Sequence, residues 1–296
     1  MFKFEYLRPT SIKEACELLA KHGADARVIA GGTDLMVQIR DKDKKLADIK
    51  YVVDITRIRE MNFIEEDGDT IRLGALVTHD QIYRSPVLRT AVPFLCKACN
   101  AVGSPQIRHV GTIGGNICNA SPAADAVPPM VALDAEVKIE SVGCSRTVPL
   151  TSIYLKPYVT GLAAGEIITE IKFKRLEPGT QTAFIKLGRR KAIAISRINI
   201  AATLRIDEKG KVAEARISPG CIFSVPGRVT AAEEVLTGKL PTDELIHEAG
   251  SKVSEEMIRR TGVRWSTEYK KPVVEALTRR VLKQALGADK LEERSE

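Results

Sequence analysis

The sequence has no long hydrophobic run: nothing in its 296 residues approaches the roughly eighteen consecutive apolar positions that a membrane-spanning helix needs. Its opening, MFKFEYLRPTSIKEA, lacks an apolar stretch of the kind a secretory signal carries, so the chain reads as cytoplasmic. Aromatic residues make up only 5% of it, which leaves few platforms for stacking bases and argues against nucleic-acid binding despite a net charge of +7. The basic residues are scattered along the chain, and the run DKDKK (41–45) is interleaved with acids and reads as solvated surface. Cysteines are few: Cys16, Cys96, Cys99, Cys118, Cys144 and Cys221 show neither the density nor the spacing of a disulfide framework. Cys96 and Cys99 form one C-x-x-C, but no second pair exists to complete a zinc or iron–sulfur site. At that spacing on a helix both thiols serve as small buried hydrophobes, and no metal is expected.

Two glycine segments stand out instead. VIAGGTDL (28–35) places Gly31-Gly32 after a short apolar run, and VGTIGGNICNASPAAD (110–125) is almost bare of bulky side chains. Glycines in such positions let backbone N–H groups approach an anion without obstruction. Neither segment is a P-loop, and the first lacks the third glycine of a dinucleotide-binding fingerprint, although Asp54 mimics the ribose-binding acid of that motif. A hairpin turn also accounts for VIAGGTDL taken alone. The second segment is too long and too polar for a tight turn, and GTIGGN reads as a second anion loop.

Along the chain, TSIKEACELLAKHG predicts a helix with Ser11 and Glu14 as a capping box and Gly23 as its stop. A strand, glycine turn, helix and second strand (YVVDI, 51–55) follow, then the strand TIRLGAL and a helix starting at Thr78. TAVPFLCKACNAVG (90–103) reads as one helix and AADAVPPMVAL as a broken one. EVKIE, RTVPL and IITEIKF read as strands, and Leu176–Thr180 as a linker or turn. Beyond it TAFIKLGRR, AIAISRINIAATLRI and KVAEARIS read as three strands, followed by three helices, the last with Val274, Leu277, Val281 and Leu282 on one face. Strands in a meander and then helices make an α+β pattern.

AGGTDL together with VGSPQIRHVGTIGGNICNASPAAD resembles the FAD-binding (medium) subunit of the molybdenum hydroxylases, the family of xanthine dehydrogenase, aerobic carbon monoxide dehydrogenase and nicotinate dehydrogenase. The likeness extends through IITEIKF and FIKLGRRKAIAISRINIA to about residue 225. It implies an α+β chain: a two-lobed FAD-binding domain of the p-cresol methylhydroxylase or vanillyl-alcohol oxidase type at 1–176 (lobes roughly 1–55 and 56–176), a carbon monoxide dehydrogenase flavoprotein C-terminal-like domain at 180–288, and a polar tail at 289–296.

The resemblance also implies site residues. Val28, Ile29, Ala30, Gly31, Gly32, Thr33, Asp34 and Leu35 contact the pyrophosphate of a non-covalent FAD, and Gly115 belongs to the second loop. Thr112 and Asn116 bond phosphates and cofactor hydroxyls, Asp125 accepts from ribose hydroxyls, and Val102 and Ile168 pack against the rings. Lys186 stands beside the isoalloxazine as a cation that raises its reduction potential; read without the resemblance it is a solvated lysine on an edge strand. No residue is assigned a catalytic role. The implied activity is that of an oxidoreductase subunit: substrate is hydroxylated at molybdopterin on a large subunit, and electrons arrive through a small [2Fe-2S] subunit and leave for NAD or another acceptor. GRRK (188–191) forms a basic rim for that acceptor, but Ala192 stands where NAD-reducing relatives often carry an acid. A cysteine-rich insertion for a four-iron cluster is missing. Two other readings are a self-sufficient flavin reductase resembling UDP-N-acetylenolpyruvoylglucosamine reductase and a basic binding module without flavin. The substrate of the complex is not encoded here.

Overall fold

The computed structural model describes residues 3–287, so the expected tail at 289–296 lies outside the described residues. The chain begins with β1 (Glu5–Leu7), α1 (Ile12–His22), β2 (Ala26–Ile29), α2 (Leu35–Arg40) and β3 (Tyr51–Asp54). Ser11 caps α1 by accepting from the Glu14 N–H at 3.2 Å, Gly23 ends it at φ 54°, and Ala15, Cys16 and Leu19 are its buried stripe. Glu14 closes the cap on the N–H of Thr10, at 2.7 Å, one residue earlier than a capping box places it.

Next come β4 (Ile64–Asp67), β5 (Thr70–Gly74), α3 (His79–Arg84), α4 (Pro86–Ala91) and α5 (Pro93–Asn100). The single helix expected at 90–103 is therefore divided. Pro93 has no N–H to continue α4, and its fixed φ suits the first turn of a new helix, so Val92 becomes the break. Then follow α6 (Pro105–Val110), α7 (Ile113–Cys118), α8 (Val127–Ala132), β6 (Glu136–Ser141), β7 (Cys144–Pro149), β8 (Tyr154–Lys156), β9 (Val159–Thr160) and β10 (Ile167–Lys174). The chain closes with β11 (Thr180–Leu187), β12 (Ile198–Ile206), β13 (Val212–Gly220), α9 (Thr230–Leu236), α10 (Asp243–Thr261) and α11 (Thr267–Ala285).

The apolar run at Ala192–Ile195, expected to lead into a strand, is a loop. Ile193 sits at φ 51°, Ile195 is 82% exposed, and the Arg190 guanidinium ties the turn by donating to the Ala192 and Ile193 carbonyls at 3.1 and 2.9 Å. Helix α11 starts earlier than expected and carries Pro272 inside it. A proline there costs about 3 kcal/mol. Burial of Val274, Val281 and Leu282, each contributing about 1.5–3 kcal/mol, outweighs it.

The chain forms two compact units. The first comprises, of the described residues, 3–82, 103–121 and 134–174. It holds a parallel sheet of order β1-β3-β2 and an antiparallel sheet of order β4-β5-β10-β6-β7. Ile71, Leu73, Val137, Ile139, Ile171 and Phe173 form the buried face of the larger sheet. The second unit comprises, of the described residues, 83–102, 122–133 and 175–287. Its centre is the antiparallel meander β11-β12-β13, with α5 and α8 packed on it and the three C-terminal helices sharing one apolar cluster with it. No described helix is long and apolar enough to cross a membrane.

Candidate functional site

Strand β2 runs parallel to β3 and ends at Ile29, so the Gly31-Gly32 turn emerges at the carboxyl edge of the small sheet. Gly32 adopts φ 70°, which leads the chain from strand into α2. Gly31 is a glycine for a different reason: a β carbon on it would lie 1.9 Å from the Val110 carbonyl oxygen and 3.0 Å from the Gly111 Cα. The two glycine segments, about eighty residues apart, thus meet backbone to backbone. The Asn119 amide adds a tie by donating to the Asp34 carboxylate at 2.9 Å. Among the described residues, the N–H groups of Gly31, Gly32, Thr33 and Asp34 find no protein acceptor. Four adjacent donors without a protein acceptor, in a turn freed by glycine, are available to an anion. Leu35 turns inward from this turn to pack on the cluster of Ile39, Leu46, Ile49 and Val52, as does Ile29 before it.

GTIGGN is not the open loop expected from its glycines. It is the start of α7, and its donors are engaged: Ile113 N–H bonds Val77 O, Gly114 N–H bonds Ala75 O, each at 2.9 Å, and Asn116 N–H bonds Thr112 O at 2.9 Å. Thr112 caps the helix by accepting from the Gly115 N–H at 3.1 Å. Gly114 is required by packing, since a β carbon there would sit 2.7 Å from that of Ala75. What this segment offers a ligand is therefore side-chain chemistry. The Thr112 hydroxyl keeps its proton to donate, and the Asn116 Oδ1 is buried with no protein partner.

His79 lies under the same glycines and had no signal in the sequence. Its backbone N–H donates to Gly111 O at 3.0 Å, the residue is 2% exposed, and Nδ1 has no partner among the described residues. Burial, and then the positive charge of Arg108, lower its pKa to about 4. Asp54, the ribose-acid mimic, is occupied by structure instead. It accepts from the Tyr6 hydroxyl at 2.5 Å and from Thr56 N–H and Oγ1 at 2.9 and 2.7 Å, with Arg8 at 3.4 Å. Burial raises its pKa, but those bonds and the Arg8 charge outweigh that and hold the carboxyl below its usual range.

Ile168 is buried in β10 opposite Ile139, beside a register shift that ends at Glu170. The remaining expected residues belong to the second unit. Val102 follows α5, half-buried, with its N–H on the Cys99 carbonyl at 3.2 Å. Asp125 is 5% exposed and accepts from Lys186 Nζ at 2.6 Å, Ser196 Oγ at 2.5 Å and Asn199 Nδ2 at 2.8 Å. The carboxylate that the resemblance assigns to ribose hydroxyls thus already holds three protein donors. Lys186 is on the edge strand β11, yet its ammonium is turned inward to Asp125 and to the Ala101 carbonyl at 2.7 Å. Cys96 and Cys99 are buried in α5 and form no disulfide, and burial pushes Cys96 up to about 11.

Residues 2–173 match the family model described as the FAD binding domain in molybdopterin dehydrogenase. The chain belongs to that family. Residues 183–285 match a second model, the CO dehydrogenase flavoprotein C-terminal domain. The nicotinate dehydrogenase FAD-subunit of Eubacterium barkeri is 36% identical over 285 residues, 95% of each chain. Carbon monoxide dehydrogenase of Hydrogenophaga pseudoflava has a chain of like structure, at TM-score 0.89 and 29% identity, covering 97% of this chain and 98% of that one. Quinoline 2-oxidoreductase of Pseudomonas putida 86 gives TM-score 0.88 at 28% identity, covering 97% and 98%. The protein is thus an α+β, FAD-binding oxidoreductase subunit of the molybdenum hydroxylase family, which displaces the reading as a flavin-free basic module. The donor turn at Gly31–Asp34 and the unpartnered Asn116 Oδ1 suit a cofactor that carries both phosphates and hydroxyls.

Proposed function

We propose that this chain is the electron-transferring FAD subunit of a heteromeric molybdenum hydroxylase, receiving electrons from a small [2Fe-2S] subunit and delivering them to an external acceptor. A large molybdopterin subunit performs substrate hydroxylation. The observation that carries the reading is the meeting of Gly31 with Val110 and Gly111, which brings the two glycine segments together. FAD supplies reversible hydride and single-electron chemistry, and every protein group acts by binding or by charge.

In this reading Val28 to Leu35 form the pyrophosphate turn, with the N–H groups of Gly31 to Asp34 as donors and Gly32 providing its bend. The Thr112 hydroxyl donates to a phosphate, Gly115 leaves that approach clear, and Asn116 Oδ1 accepts from a cofactor hydroxyl. Val102 and Ile168 pack against the rings, Lys186 stands beside the isoalloxazine, and Asp125, which holds the Lys186 ammonium at 2.6 Å, keeps lone pairs for a ribose hydroxyl. The acceptor is NAD or another small carrier drawn by the exposed Arg189 and Lys191, although Ala192 removes the acid common to NAD-reducing relatives. Along the sequence the two domains divide at 176–180, while in space residues 83–102 and 122–133 join the second unit. Six cysteines with no disulfide among them accord with a cytoplasmic location.

The relatives named above act on nicotinate, carbon monoxide and quinoline, so substrate choice belongs to the large subunit of the complex. Purification of the native protein through a tag on this chain tests the reading. The expected result is a yellow complex with two further, unlike chains, one with iron and one with molybdenum. A colourless chain that FAD cannot reconstitute, or a lone chain with full dehydrogenase activity, overturns it.

A further inference from the structure

The antiparallel register pairs Lys186 of β11 with Asn199 of β12, and Asn199 with Gly220 of β13. The three positions form one row across the sheet, and residues directly opposite each other present their side chains on the same face. Asp125 meets that row from the segment between α7 and α8. Its Oδ2 takes the Lys186 ammonium, and its Oδ1 takes the Asn199 amide and the Ser196 hydroxyl. Gly220 is the counterpart of this arrangement: a β carbon there would lie 2.0 Å from Asn199 Oδ1 and 3.0 Å from Pro128. Cys221, next along, sits at φ 66° and bonds the Ser196 carbonyl through its thiol at 3.3 Å. The side chains of Lys186 and Asp125 are 15% and 6% exposed.

An ammonium group this buried requires an opposite charge and a fixed geometry. Asp125 supplies the charge, and the two neutral donors on its other oxygen prevent it from turning away. One positive and one negative charge leave the cluster neutral. We infer that Asp125 is a positioning residue for Lys186: it orients the ammonium and cancels its charge, so that the flavin site contains a held ion pair rather than a bare cation. This rests on the proposed placement of Lys186 beside the isoalloxazine.

The reduction potential of a bound flavin rises with positive charge beside it and falls with negative charge. Asp125→Asn keeps the shape and uncovers Lys186, so the potential should rise. Lys186→Met leaves the buried carboxylate without its partner, so the potential should fall. The double variant removes both charges and should return close to the wild-type value.

The test is the midpoint potential of FAD in the reconstituted protein, measured for the wild type, both single variants and the double variant. FAD retention on gel filtration and thermal unfolding of the apoprotein accompany it. Potentials are read at saturating FAD, so that a change in affinity does not enter the comparison. A lowered or unchanged potential in Asp125→Asn, where Lys186→Met does shift it, overturns the inference. If Asp125→Asn does not fold, the double variant decides: a potential matching Lys186→Met alone overturns the inference, and one near wild type supports it. If no variant moves the potential while FAD stays bound, the placement of Lys186 itself is wrong, and the inference falls with it.

Discussion

The Asn119 side chain donates to the Asp34 carboxylate at 2.9 Å, across 85 residues of sequence, and fastens the end of the second glycine segment to the turn of the first. A hydrogen bond to a charged group contributes about 1.5–3 kcal/mol. Asn119→Ala should therefore weaken FAD binding about tenfold or more, because the donor turn is no longer held in place. Titration of apoprotein with FAD, followed by quenching of flavin fluorescence, reads this directly. An unchanged dissociation constant would remove Asn119 from the site.

Gly31→Ala is a harsher change. Its β carbon would overlap the Val110 carbonyl, and both neighbours are backbone, so relief requires the two glycine segments to part. Flavin content of the purified protein should drop to a small fraction of wild type, with a loss of about 1–3 kcal/mol in apoprotein stability from overpacking. Full yellow colour in this variant would contradict the close approach.

Asn116 offers opposite signs in one residue. Its buried Oδ1 lacks a partner in the protein, a condition that costs about 1–3 kcal/mol. Asn116→Ala should leave the apoprotein as stable as wild type or more so, while lowering affinity for FAD. Urea unfolding with and without FAD separates the two effects. A variant less stable without FAD and unchanged in binding would assign Asn116 to structure alone.

His79 sets a pH limit on the fold. Its pKa is lowered from 6.5 to about 4, so at neutral pH it is uncharged in folded and unfolded chains alike. Below about 6.5 the unfolded chain takes up a proton that the folded chain refuses until about 4. Stability should thus fall as pH drops through that window, by about 3 kcal/mol in total. Urea midpoints measured at pH 7 and pH 4.5 should differ by less in His79→Gln than in wild type; equal pH dependence would show that another group is responsible.

Periodicity made much of this fold legible. The α1 stripe, the hairpin strands β6 and β7, the meander and the last three helices follow from local pattern and turn chemistry, and tertiary contacts did not overturn them. GTIGGN reads as a loop because its glycines free the backbone on both sides of Thr112 and Ile113. Its helix is made by the Thr112 cap and by close packing on Ala75, neither of which can be seen from composition. The run Ala192–Ile195 has strand-forming residues, yet the Arg190 clamp holds it as a turn. The family resemblance marked Asp125, but its bonds to Lys186, Ser196 and Asn199 depend on a register 61 to 74 residues away. His79 gave no sign, because an isolated histidine becomes distinctive only once it is enclosed.

The apparent seam at 176–180 divides the sequence more cleanly than it divides the molecule. Helices α5 and α8 come from the first half of the chain, yet they pack on β11, β12 and β13 within the second unit. A fragment cut at the seam would carry the meander and three helices but leave the sheet unroofed where those two helices belong. Expressed alone it should aggregate or bind hydrophobic dyes. During synthesis the roof is made before the house: α5 and α8 leave the ribosome well ahead of the strands they cover. Those apolar faces must wait, exposed, for the rest of the chain.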